Sequence, residues 1–216
     1  MSNGRTVGVK SLHKQSLTKQ LRLQEKVSNE NGQKTPLRIN KDATLSEPLK
    51  QSGFEFSRYA IPPAVPEKHK SSNSRKNNSY IQRMITLTKK EEALKNSSLS
   101  YLKVFIENME GFYPFAMIMD TQGQISSLMP FDENNSDVQS LINLYTDTLK
   151  NEINNNALYD VGVLSVDVTI SKKTKNGTIK ENGIEMTFFE KGEKNKIIHV
   201  KYKITDDDEI CFIDDE

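Results

Sequence analysis

Six side chains in the second half of this 216-residue chain are of the types that do acid, base or nucleophile chemistry: Asp120, Asp160, Asp167, Glu185, His199 and Cys211. Catalysis needs such groups to converge in one pocket. Asp120 stands in DTQG, residues 120–123, whose Asp and Gly read as a turn. Asp160 and Asp167 fall seven positions apart in one strand-like stretch, so they point to opposite faces and form no carboxylate dyad. His199, in IIHVKY, shares a strand face with Ile197, Lys201 and Lys203, a solvent-facing cross-strand position. Cys211 follows four acidic residues, a setting that opposes thiolate formation. Three His and one Cys supply neither a Cys/His zinc site of standard spacing nor an internal disulfide. The glycines stand singly rather than in a phosphate-cradling loop. The polar residues therefore point away from an enzyme, and they name no catalytic residue, cofactor or metal.

The elements that must position these residues occupy only part of the chain. An apolar content of 35% and a mean hydropathy of −0.65 imply that not all of it packs. Residues 1–53 contain no Phe, Tyr or Trp and are rich in Lys, Gln, Ser and Asn, a composition too poor in apolar surface to offset its own ordering entropy. Charge divides the chain in the same place. Residues 1–90 carry 18 Lys and Arg against 6 Asp and Glu, whereas residues 91–216 carry 12 against 23. A basic arm of this kind finds phosphates or an acidic protein surface, and the nearest acidic surface is its own domain. The single cysteine fits a reducing compartment. There is no apolar run of signal-peptide or membrane-span length, so a cytoplasmic protein without membrane contact is expected.

Within the arm, Leu12, Leu17, Leu21 and Val27 give residues 11–27 a thin helical stripe, either a transient helix or one that a partner induces. KHKSSNSRKNN, residues 68–78, reads as a linker. The domain then opens with YIQRMITL, and Thr88 with Glu91 forms a capping box ahead of Leu94, Tyr101, Leu102, Phe105, Ile106 and Met109 at helical spacing, with Gly111 as the stop. FYPFAMIM, residues 112–119, is the continuous apolar run of a strand covered on both faces or lying at the centre of a sheet, with Pro114 favouring an edge or an entry position at its start. With QISSLMPF it makes a hairpin. Ser136 as N-cap with Gln139 predicts a second helix through about Asn154. ALYDVGVLSVDVTIS, IEMTFFE and IIHVKYKIT follow as strands, with turns expected at Asn176-Gly177, Asn182-Gly183 and KGEKNK. The pattern predicts an α+β domain over 80–205, an antiparallel sheet of about five strands with both helices on one face. A long disordered basic arm over 1–79 precedes it and an acidic tail over 206–216 follows it. In that tail Ile210–Ile213 is a short apolar core that either frays or pairs with a sheet edge.

GFYPFAMIMDTQGQI, the capped helix, VGVLSVDVTI and the final lysine-rich strand together resemble small bacterial domains of unassigned function, some of them immunity-type proteins beside toxins, in which an F-x-P-F-x-x-x-x-D-x-x-G hairpin opens the sheet. The resemblance covers roughly residues 90–205. It implies binding rather than catalysis and supplies no catalytic residues.

One segment of the arm departs from its surroundings. GFEFSRYAIPPAVPEKHK, residues 53–70, gathers Phe54, Phe56 and Tyr59 ahead of Ile61, Pro62, Pro63 and Val65, and the prolines favour an extended geometry that loses little entropy on docking. These residues are the candidate partner-binding set, a strap that fastens either to the chain's own domain or to a protein partner. Nucleic acid is the second candidate partner, through the phosphates the arm could meet. The sequence does not fix the oligomeric state.

Overall fold

A computed structural model describes residues 5–9, 17–30, 36–40, 55–59, 85–109, 111–129, 137–174, 176–207 and 209–214. In chain order the elements are β1 (Arg5–Val9), α1 (Leu17–Glu30), β2 (Pro36–Asn40), β3 (Glu55–Tyr59), α2 (Lys89–Met109), β4 (Phe115–Asp120), β5 (Ile125–Met129), α3 (Val138–Asn155), β6 (Tyr159–Thr174), β7 (Gly177–Glu190), β8 (Lys196–Ile204) and β9 (Ile210–Asp214). The fold is α+β. Its centre is an antiparallel sheet in the order β5-β4-β6-β7-β8-β9, one strand more than expected, because the acidic tail contributes β9 to its own sheet edge with Ile204 opposite Ile210. Strands of the arm extend this sheet: β1 lies antiparallel to the far half of β6, and β2 lies parallel to both β5 and β3.

The two helices of the domain do not share a face, contrary to the expectation from sequence. Successive residues of β4 point to opposite sides. Phe115, Met117 and Met119 join Leu94, Leu102, Phe105 and Ile106 of α2, whereas Ala116 and Ile118 join Leu141, Tyr145, Leu149 and Ile153 of α3. Phe105 meets Phe115 edge-on, with ring centroids 5.4 Å apart. This is why FYPFAMIM is apolar at every position: a strand buried on both faces has no polar side to show. β4 is accordingly internal, between β5 and β6, and Pro114 takes the entry position just ahead of the strand, the second of the two placements expected.

Local chemistry sets the boundaries. At the start of α2 the Thr88 N–H donates to Glu91 Oε2 at 2.7 Å and the Glu91 N–H donates to Thr88 Oγ1 at 3.3 Å, the reciprocal box expected from sequence. At α3 the cap is Asp137, one residue later than expected, with its carboxylate accepting from the Ser140 N–H at 2.8 Å; Ser136 lies outside the described residues. Gly177, at φ +130°, makes the β6–β7 turn, but Asn182-Gly183 is no turn and sits inside β7. Gly183 suits that place because the Ile170 side chain lies in the space a Cβ would take, with Ile170 Cγ1 2.9 Å away.

Candidate functional site

The polar residues singled out from the sequence are placed apart. Asp120 Oδ1 accepts from the N–H groups of Gln122 (2.9 Å) and Gln124 (2.8 Å), so its carboxylate organises the hairpin turn. Asp160 pairs with Lys90 at the start of α2. Asp167 is buried, and the Tyr202 hydroxyl donates to its Oδ1 at 3.1 Å. Burial first, and then the Asp167 charge, pushes the Tyr202 phenol well above the ordinary tyrosine range. His199 is half-buried, with Nε2 3.1 Å from Glu185 Oε2 on the neighbouring strand. Cys211 is exposed on β9. Among the described residues no group of three or more His, Cys, Asp or Glu is arranged to hold a metal ion. An open depression of about 360 Å³ involves Lys180, Lys201, Tyr202, Lys203 and Ile204, and Lys201 there is paired with Glu181 at 3.0 Å.

The best-defined recognition geometry lies elsewhere, where α1 meets the domain. α1 lies on the α2 side of the sheet and buries Gln20, Gln24 and Val27, residues at i, i+4 and i+7 on one helical face. The Gln20 carboxamide matches the Tyr113 backbone with both of its atoms: Oε1 accepts from the Tyr113 N–H at 2.8 Å, and Nε2 donates to the Tyr113 carbonyl at 3.3 Å. Gln24 Nε2 donates to Ser127 Oγ on β5, itself fully buried. Lys19 Nζ donates to the Asn108 carbonyl at 2.7 Å, at the carboxy-terminal turn of α2 where carbonyls lack helical partners. Val27 and half-buried Leu23 supply the apolar part of the contact. Sequence reasoning sought this helix through Leu12, Leu17, Leu21 and Val27 and so passed over the glutamines. The signal was two Gln four apart in phase with Val27.

Of the proposed strap, Phe56 and Tyr59 belong to β3, where the backbone register sets them opposite Leu37 and Asn40 of β2. Phe54, Ile61, Pro62, Pro63 and Val65 lie outside the described residues. Through β2, which pairs with β5, the strap's strand joins the sheet of its own chain. Among the described residues no helix is long and apolar enough to cross a membrane. The chain matches no protein-family model, no curated protein and no solved structure.

Proposed function

We propose that this chain is a non-enzymatic protein-interaction protein of the adaptor, assembly-subunit, immunity or exported-cargo kind, with a basic amino-terminal arm that is disordered when free and orders on binding. The observation that carries the reading is the double hydrogen bond between Gln20 of the arm and the Tyr113 backbone of the domain. A seat for an arm helix is built into the domain, and it is lined with polar groups that water can satisfy when the helix leaves. The arm's strands work in the same way, since β1 and β2 add to sheet edges by main-chain pairing, a mode that any extended segment of suitable length can copy. In this reading Phe54, Phe56, Tyr59, Ile61, Pro62, Pro63 and Val65 contact the partner, and the compartment is the reducing cytoplasm.

Capture from the native source tests this. The full chain and its Phe54→Ser/Phe56→Ser/Tyr59→Ser variant, both immobilised, are exposed to the same extract with and without nuclease treatment. Retention of one protein species by the parent and its loss with the triple variant supports the reading. Equal recovery by both, or retention that disappears on nuclease treatment and falls steeply with salt, overturns it, and the second outcome moves the function to nucleic acid held by the arm's lysines and arginines.

A further inference from the structure

We propose, resting on that reading, that the seat bounded by α2, the 111–114 lead-in to β4 and β5 is a receptor for a partner helix bearing Gln-x-x-x-Gln-x-x-aliphatic, and that α1 is its occupant in cis. The chemistry of the seat sets the pattern. Tyr113 presents one N–H and one carbonyl side by side, just before Pro114, which has no N–H to offer. A carboxamide carries a donor and an acceptor in one plane and answers both. A carboxylate lacks the donor and an ammonium lacks the acceptor. One turn further on, Ser127 is fully buried and takes the second carboxamide, so an apolar residue at that position would leave its hydroxyl without the Gln24 donor. Val27, at the third position, reaches the core cluster of α2 and the sheet. A lysine just before the first glutamine, as Lys19 stands in α1, adds a cation at the end of α2.

Among the described side chains of α1, the two carboxamides make the directed contacts that select a helix, with Val27 buried and Leu23 half-buried beside them. Its specificity therefore resides in hydrogen bonds that exchange with water at small net cost, and its persistence in cis comes from the tether, which keeps α1 at high effective concentration. A partner helix with the same two glutamines and a larger aliphatic residue at the position of Val27 displaces α1 and frees the arm. The ligand class is an amphipathic helix read by its two carboxamides.

The test uses a fluorescein-labelled peptide with the sequence of residues 17–30, LTKQLRLQEKVSNE, titrated with two forms of the full chain, the parent and the Gln20→Ala/Gln24→Ala variant, and read by anisotropy. In the parent the seat is filled, so the apparent affinity is reduced by the fraction of molecules in which it is open. The variant should bind the peptide at least tenfold more tightly than the parent. A second peptide with both glutamines replaced by alanine should bind the variant at least tenfold more weakly than the first. The single Gln20→Glu variant, which keeps size and helicity but removes the donor, repeats the comparison if the double variant loses its cooperative unfolding. Equal binding to parent and variants, glutamine-independent binding, or no binding to any form overturns the inference. Those results leave the capture experiment standing, because it depends on Phe54, Phe56 and Tyr59 and not on the glutamines.

Discussion

Replacing Gly162 by alanine tests the two-sided sheet at its tightest point. Gly162 of β6 lies opposite Ile118 of β4, beneath α3, and a Cβ there would fall 2.6 Å from Leu149 Cδ2, 3.2 Å from Ile153 Cδ1 and 3.3 Å from the Met117 carbonyl oxygen. Ordinary carbon contacts are about 3.5–4.0 Å, so the first overlap is close to 1 Å. Overpacking of a filled core costs about 1–3 kcal/mol, offset by about 0.5–1 kcal/mol gained when alanine replaces glycine in a strand. The single variant alone cannot separate these terms, but a double-mutant cycle can, because the backbone gain is the same in every background. Leu149→Ala removes the offending methyl and itself costs about 2–5 kcal/mol. Placed on Leu149→Ala, the Gly162→Ala change should be neutral or stabilising, which gives a coupling of about 1–3 kcal/mol. Placed on Leu102→Ala, on the α2 side, it should be additive to within about 0.5 kcal/mol. Urea unfolding followed by far-UV circular dichroism reads all the variants. Coupling to Leu102 with none to Leu149 would refute the placement of the helices on opposite faces.

Two further outcomes are expected. Glu91→Gln should cost about 1–3 kcal/mol at neutral pH, because the buried carboxylate accepts at 2.7 Å from both the Thr88 N–H and Lys196 Nζ. The hydrogen bond that Lys196 donates to Glu91 raises the Lys196 pKa, so its contribution is complete below the ordinary lysine value of about 10.4 and is lost as pH rises through the raised one; the stability difference between parent and variant should stay flat from pH 7 to 9 and shrink above pH 10. Tyr202→Phe should cost about 1–3 kcal/mol by removing the hydroxyl that donates to buried Asp167. Its raised phenol pKa means a stabilising contribution held below the ordinary value of about 10 and lost above it, so ultraviolet titration of the folded parent and the variant should count equal numbers of ionising tyrosines.

Local signals in the sequence carried well where the chemistry is short-range. The Thr88–Glu91 box, the Asp120 turn and the run of strands after residue 157 were legible because each depends on residues within a few positions of one another. The layer order was less so. A continuous apolar run such as FYPFAMIM implies cover on both faces, yet the choice of which helix covers which face depends on connections around the sheet that periodicity does not encode. Gly183 shows the same limit at one residue. Asn-Gly is a strong turn signal, and only the Ile170 side chain lying across the backbone explains why it occurs inside a strand.

The arm is the deepest case, because polar side chains carry much of the described part of its docking. An apolar stripe records how much surface a helix hides from water, whereas among the described side chains of α1 the buried ones are Gln20, Gln24 and Val27. Composition alone therefore assigns residues 17–30 to a chain that cannot fold. What fixes the helix in place is a set of directed hydrogen bonds to groups that the domain holds ready, the Tyr113 backbone, the Ser127 hydroxyl and the Asn108 carbonyl. These groups come from three separate places in the chain, so nothing near α1 in sequence announces them. A helix held this way is conditional. On the proposed reading it is ordered while the domain's groups face it and, once displaced, returns to the solvated state its composition favours, which is the behaviour expected of an arm that exchanges its own domain for a partner.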